Sequence, residues 1–283
     1  MDNGSIVDYA SIAFDAVSTR HRAARTADDS LAIRTKDKRV ILYGHRGARN
    51  EAPENTLTGF RHALRQGITA FEFDVHLTAD DQLVVIHDPT VDRTTNGSGP
   101  VADMTVAELA QLDARSIFPD WPERAWVPTL TEVLDVVGGA EDMEIEIKTD
   151  TPERLGRIAE LVLAAIRRYD LAARAAVTSF DPVALEAVAR LAPTQRRGFI
   201  AKFDTPDDLA TALRVRVTQC AIPLKTGSKQ WVKEAQAAGL LVTGWQGNTR
   251  EDIHTLLGWG VDAITSDYPT LARSVLREAG ALP

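Results

Sequence analysis

A (β/α)8 TIM barrel is the fold this sequence predicts, and three observations carry the prediction. Short apolar runs alternate with longer amphipathic ones from residue 39 almost to the end, as strand and helix units of a mainly parallel sheet do. The alternation yields nine strand candidates, and no nucleotide-binding glycine fingerprint follows the first, so closure into a barrel is favoured over an open doubly wound sheet. Two of the strands carry carboxylates at every second position, aiming acid at one interior.

The elements follow in order. VILYG (40–44) is the first strand, and ENTLTGFRHALRQG (54–67) the helix after it, begun by Pro53 and Glu54. AFEFDV (70–75) and LVVIHD (83–88) are joined only by HLTADDQ. That link is too short for a parallel crossover, so the pair reads as an antiparallel hairpin. Residues 88–130 hold the turn-rich TTNGSGP, a capping box of Thr105 and Glu108 before a short helix, and Phe118, Trp121 and Trp126. This stretch reads as a small insertion subdomain folded over the barrel mouth. The remaining units are MEIEIK with the helix over 153–170, AAVTSF with 182–192, RGFIA with 206–215, CAIPL with 229–239, LLVTGW with 250–260, and finally VDAITSD. Residues 1–38 are polar, of mixed charge and without β periodicity, and read as a weakly ordered or helical arm with no chemistry. The barrel occupies 39–283.

Composition narrows the function. A chain of 283 residues with 44% hydrophobic content can bury one large core, and a single catalytic domain is expected. A net charge of −8 disfavours a nucleic-acid partner, which requires a basic face. The single cysteine, Cys220, excludes an intrachain disulfide and a thiol-rich metal site. No apolar run approaches the ~20 residues of a membrane span, and no basic-then-apolar leader opens the chain, so a cytoplasmic protein without stable membrane insertion is expected.

Strand alternation places Phe71, Phe73 and Val75 on one face and Glu72, Asp74 and His76 on the other. In the later strand Met143, Ile145 and Ile147 oppose Glu144, Glu146 and Lys148. Carboxylates clustered in one interior need a compensating cation, and oxygen donors without cysteine favour Mg2+ or Ca2+. His45 and His87 fall at strand ends, where a barrel places its chemistry, and supply a proton-transfer pair near neutral pH.

HRGARNEAPENT, FEFDVHLTADDQLVVIHD, DRTTNGSG, IEIK, TSF and GVDAITSDYP, in this order, resemble the glycerophosphodiester phosphodiesterase family from residue 39 to about 270. The resemblance implies a barrel that hydrolyses small glycerophosphodiesters to glycerol 3-phosphate and an alcohol with a divalent metal. Carried over by position, Glu72, Asp74 and Glu146 match the metal ligands, and His45 and His87 the acid–base pair; the motifs do not fix which of the two is the acid, and the reading leans to His87. Arg46 and Lys148 match the groups facing the phosphate, Trp245 lies on the pocket wall, and Glu144 receives no role. The eighth-strand segment departs from the pattern, reading VTGWQGN where W-T-V-N is expected. Glu54 and Asn55 either orient the histidine loop or only begin the helix. The rivals are a lysophospholipase D or sphingomyelinase D type enzyme, which an apolar groove under Phe118, Trp121 and Trp126 would favour, another small-phosphodiester hydrolase on the same barrel, a noncatalytic binding barrel, and a metal-dependent sugar isomerase.

Overall fold

The computed structural model describes residues 39–283, so the arm expected over 1–38 lies outside the described residues. The strands are β1 (Ile41–His45), β2 (Ala70–Leu77), β3 (Leu83–Val85), β4 (Asp142–Ile147), β5 (Ala175–Ser179), β6 (Arg197–Ile200), β7 (Gln219–Pro223), β8 (Leu241–Trp245) and β9 (Ala263–Ser266). The helices are α1 (Leu57–Arg65), α2 (Val106–Leu109), α3 (Leu130–Val137), α4 (Pro152–Arg168), α5 (Pro182–Leu191), α6 (Pro206–Arg214), α7 (Lys229–Ala237), α8 (Arg250–Trp259) and α9 (Pro269–Glu278).

Strand β1 pairs in parallel with both β2 and β9, which closes the sheet, while β4 to β9 pair in sequence between them. Of the nine strands only β3 is antiparallel, hydrogen-bonded to the outer edge of β2, so eight parallel strands form the barrel. The β2–β3 link turns tightly because the Thr78 hydroxyl accepts from Gln82 N at 3.0 Å and donates to Asp80 at 2.7 Å.

The outward residues Phe71, Phe73, Val75, Met143, Ile145 and Ile147 are all fully buried beneath the helices, as alternation requires. Phe60 of α1 meets Phe71 and Phe73 edge to face, with centroids at 5.8 and 5.7 Å. Phe60→Ala should therefore cost about 3–5 kcal/mol in urea unfolding with an unchanged denaturant slope. A loss under about 1 kcal/mol would mean that neighbouring side chains refill the space.

Three features depart from the sequence reading. Helix α1 begins at Leu57, not at Pro53 and Glu54, because the Thr56 hydroxyl is the group that accepts from Gly59 N, at 3.1 Å. Residues 53–55 form a turn before it, with Asn55 at φ 55°. Helices α3 and α9 have no counterpart in the predicted elements, although Thr129 and Glu132 form a full capping box at the start of α3.

The capping box predicted for Thr105 and Glu108 is present at α2. Within 88–130, Val91, Val101, Leu109 and Val127 pack with Val84 and Ile86 into a small core separate from that of the barrel wall. The aromatics of this segment line neither cavity at the barrel mouth. Trp121 donates to Thr58 at 2.8 Å and packs against His62 and Phe118, while Trp126 lies against the main core under Arg124. Among the described residues no helix is long and apolar enough to cross a membrane.

Candidate active site

The turn after β1 is built from glycine for steric reasons. A Cβ at Gly44 would stand 2.2 Å from the Gly47 carbonyl oxygen, and Gly47 holds φ 87°. The chain doubles back there, with Arg46 itself at φ 52°, and Arg46 N donates to Glu72 O at 2.8 Å. His45 and Arg46 are thereby both buried at the strand's end, against the carboxylates of β2.

Each histidine is backed by an aspartate. His45 Nδ1 donates to Asp267 Oδ1, and its Nε2 lies 3.6 Å from Glu72. Asp267 is fixed in turn by Asn248, which donates from Nδ2 at 2.9 Å and accepts from Asp267 N at 2.8 Å. His87 Nδ1 donates to Asp88 at 2.6 Å, and Arg93 Nε grips the other oxygen of Asp88 at 2.6 Å. Both rings thus commit Nδ1 to a carboxylate and leave Nε2 for chemistry. Ile86 N donates to Asp74 O at 3.1 Å, which brings His87 level with the β2 acids, as the hairpin reading expected.

Glu72, Asp74 and Glu146 each offer an oxygen within 4.8 Å of the others, and all three are buried. Register explains the meeting, since Asp74 lies opposite Glu146 across the β2–β4 pair. Burial, together with repulsion from Asp74 and Glu146, pushes the Glu72 carboxyl well up, and burial with Asp74 pushes Glu146 up to about 7. Burial also opposes ionisation of Asp74, but the charges of Lys148 and Arg46 outweigh it and hold that carboxyl below its usual range. Lys148 Nζ sits 2.6 Å from Glu146 and 3.3 Å from Asp74, and Arg46 Nε 3.4 Å from Asp74. Three carboxyl groups crowd together beside two cations, one of which Glu54 also engages, and burial with mutual repulsion holds Glu72 and Glu146 towards their protonated forms. An all-oxygen donor set whose members oppose one another's ionisation fits a hard divalent cation, which would relieve that repulsion.

A second layer ties the groups together. Glu54, buried, accepts from Arg46 Nη1 at 2.8 Å and from Arg93 at 2.8 Å, and lies 3.4 Å from Arg49. Asn55 donates to Asp74 at 2.9 Å. Both residues orient the site and do not begin the helix. Asp267, Asp88, Arg93 and Asn248 were assigned no role from sequence, although each stands within or beside a quoted motif. Their partners are fixed only by folding, as the separation of His45 from Asp267 shows.

A cavity of about 100 Å3 opens among His45, Arg46, His87, Glu146 and Trp245. Trp245 stands edge to face with Phe180 at 6.2 Å, and its buried indole N–H has no hydrogen-bond partner among the described residues. Lys148 lies 5.9 Å from the centre of the Phe180 ring.

A closed parallel barrel with acids, histidines and cations clustered at the strand ends is the layout of a barrel-type enzyme equipped for proton transfer beside a metal site, and comparison with known proteins narrows the class. Residues 45–271 match the glycerophosphoryl diester phosphodiesterase family. A glycerophosphodiester phosphodiesterase of Caldanaerobacter subterraneus subsp. tengcongensis is 32% identical over 86% of this chain and all of its own length. A Bacillus subtilis protein of the same description is 30% identical over 84% of this chain and 86% of its own. Among solved structures, a putative glycerophosphoryl diester phosphodiesterase from Silicibacter pomeroyi superposes with TM-score 0.79 at 30% identity, covering 87% of this chain and 96% of that one. An Oleispira antarctica phosphodiesterase in complex with the product sn-glycerol-3-phosphate gives 0.77 at 28% identity, covering 83% and 96%. The chain belongs to the glycerophosphoryl diester phosphodiesterase family.

Proposed function

We propose that this protein hydrolyses small glycerophosphodiesters to glycerol 3-phosphate and an alcohol, with His45 and His87 as the acid–base pair. One observation carries the reading: two aspartate-backed histidines converge with Arg46 and Lys148 on the buried set Glu72, Asp74 and Glu146. The product bound to the Oleispira relative is the one this reaction yields. Those three carboxylates would hold a divalent ion, Mg2+ or Ca2+, which when bound supplies Lewis-acid stabilisation of phosphoryl charge and lowers the pKa of a neighbouring hydroxyl.

The residues divide the remaining work. One histidine removes the proton from a glycerol hydroxyl as its oxygen attacks phosphorus. The other delivers a proton to the alcohol oxygen as the ester bond breaks. The cyclic phosphate so formed is opened by water with the two roles reversed. Glu54 fixes one end of the Arg46 guanidinium through Nη1, and Nε faces Asp74 at 3.4 Å without a hydrogen bond among the described residues. The planar donors so oriented are matched to phosphate oxygens, where charge grows in the transition state. Trp245, at the cavity wall, contacts the substrate beside them.

A lipid-directed activity of the lysophospholipase D or sphingomyelinase D kind loses its support, because Phe118, Trp121 and Trp126 are packed away from both mouth cavities. The deciding assay offers glycerophosphocholine, glycerophosphoethanolamine, glycerophosphoglycerol and bis(p-nitrophenyl) phosphate with Mg2+ or Ca2+ and measures glycerol 3-phosphate release. Absence of that product from every glycerol diester would overturn the proposal.

Arg46→Lys tests the phosphate fork. An ammonium offers a point charge in place of a planar pair of donors, so kcat/KM should fall by about 1.5–3 kcal/mol, the range for a hydrogen bond to a charged group. Unaltered kinetics would place Arg46 outside the site.

A further inference from the structure

Glu144 is a buried carboxyl that the proposed reaction leaves unused. It lies opposite Glu72 across the β2–β4 pair, one inward position below Glu146, on the floor of the cavity that holds the two histidines. Its Oε1 accepts twice, from Gln219 Nε2 at 2.7 Å and from Thr243 Oγ1 at 2.9 Å. Among the described residues no donor reaches Oε2. Oε2 is instead open to the cavity, and a residue that served only to cross-link the barrel floor could as well be a glutamine, which would accept the same two bonds.

The surroundings show what the second oxygen can take. Beyond the histidines, Arg46 and the metal-site acids, the cavity wall is formed by Ile200, Ala221, Phe180 and Trp245 on its apolar part, with Thr265 and Gln246 as its neutral polar groups. Ala176, opposite Glu144 on β5, adds no polar group. Phosphate is repelled by a carboxylate and is drawn instead to Arg46 and Lys148 at the upper rim. A neutral hydroxyl is a donor that an apolar wall cannot satisfy and that Oε2 can. The volume of about 100 Å3 suits a group of a few heavy atoms. A diester with its phosphate at the rim would therefore lower its polyol end toward Glu144.

We propose that Glu144 is a specificity-determining residue that accepts a hydrogen bond from the glycerol hydroxyl farthest from the phosphate, so that the barrel floor selects glycerol diesters over those with a shorter or less hydroxylated end. The inference rests on the glycerophosphodiesterase reading above. A site that hydrogen-bonds a hydroxyl discriminates strongly against the analogue lacking it, because its own polar atom is then left unpaired.

Glu144→Gln preserves the bonds to Gln219 and Thr243 and replaces Oε2 by a donor. The test compares kcat/KM for glycerophosphocholine with that for its analogue in which the far hydroxyl is replaced by hydrogen. The wild-type preference for the glycerol diester should shrink at least about tenfold in the variant. Calorimetry gives a second reading without turnover: affinity for glycerol 3-phosphate relative to inorganic phosphate should fall in the variant. Circular dichroism and thermal melting confirm that it is folded. If wild-type enzyme releases no glycerol 3-phosphate, the functional reading fails and takes this inference with it. If wild type is active but both ratios are the same in Glu144→Gln, only the role of Glu144 is overturned.

Discussion

Treatment with EDTA is expected to abolish diesterase activity, and added Mg2+ or Ca2+ to restore it. Glu72, Asp74 and Glu146 stand within 4.8 Å of one another with almost no solvent to screen them. Arg46 and Lys148 offset part of that repulsion, but Arg46 is shared with Glu54, and in the proposed reaction both also face the phosphate. A divalent ion is worth several kcal/mol of transition-state charge stabilisation, so the loss should reach about 10^3-fold or more. Glu146→Gln should weaken metal affinity at least ~10-fold while leaving the fold in place, since losing even a residue that only supports a ligand costs about that much. Glu144→Gln, one layer lower and outside the ligand set, should leave metal affinity where it was. Full turnover in a sample shown metal-free by elemental analysis would sink the metal hypothesis, and equal loss of affinity in the two variants would show that the ligand set is misassigned.

The contrast between those two glutamates marks how far the sequence could be read. Period-two alternation put Glu72, Asp74, Glu144 and Glu146 on the inward face, because a strand with helices outside it has only one polar side to offer. The structure places all four there. Alternation carries no information about height along the barrel, so what separates Glu146, opposite Asp74, from Glu144, held by Gln219 and Thr243, came from the family resemblance alone. Helix α3 escaped notice for a local reason: LTEVLDVV is rich in β-branched valine, and its helical state is fixed by the Thr129 and Glu132 cap and by burial of Val133, Leu134 and Val137. The aspartates behind the histidines were hidden for a different reason. Asp88 adjoins His87 in sequence, but Asp267 reaches His45 only once β9 closes the barrel beside β1.

The two histidines should separate when the leaving group is varied. An alkoxide such as choline's needs a proton to depart, whereas p-nitrophenolate is stable without one. Removing the general acid should therefore cost the ~10^2 to 10^4 typical of proton-transfer catalysis on glycerophosphocholine, and far less on a p-nitrophenyl diester. Removing the base should reduce both alike. The motifs leave the division of roles open, with a leaning to His87 as the acid, but the surroundings favour the reverse. Burial, reinforced by Arg46 and Lys148 and only partly opposed by Asp74 and Asp88, lowers His87 to about 4, so at neutral pH it is unprotonated and ready to accept. Its aspartate is already engaged by Arg93. Burial lowers His45 too, but its bond to Asp267 and the charges of Asp267 and Asp74 oppose that shift, and Asp267 is free of the arginine that engages Asp88 through Nε. His45→Ala should accordingly lose far more activity on glycerophosphocholine than on the p-nitrophenyl diester, and His87→Ala should lose comparably on both. The opposite pattern would return the acid role to His87, and no leaving-group dependence in either variant would reduce the histidines to phosphate-binding or structural groups.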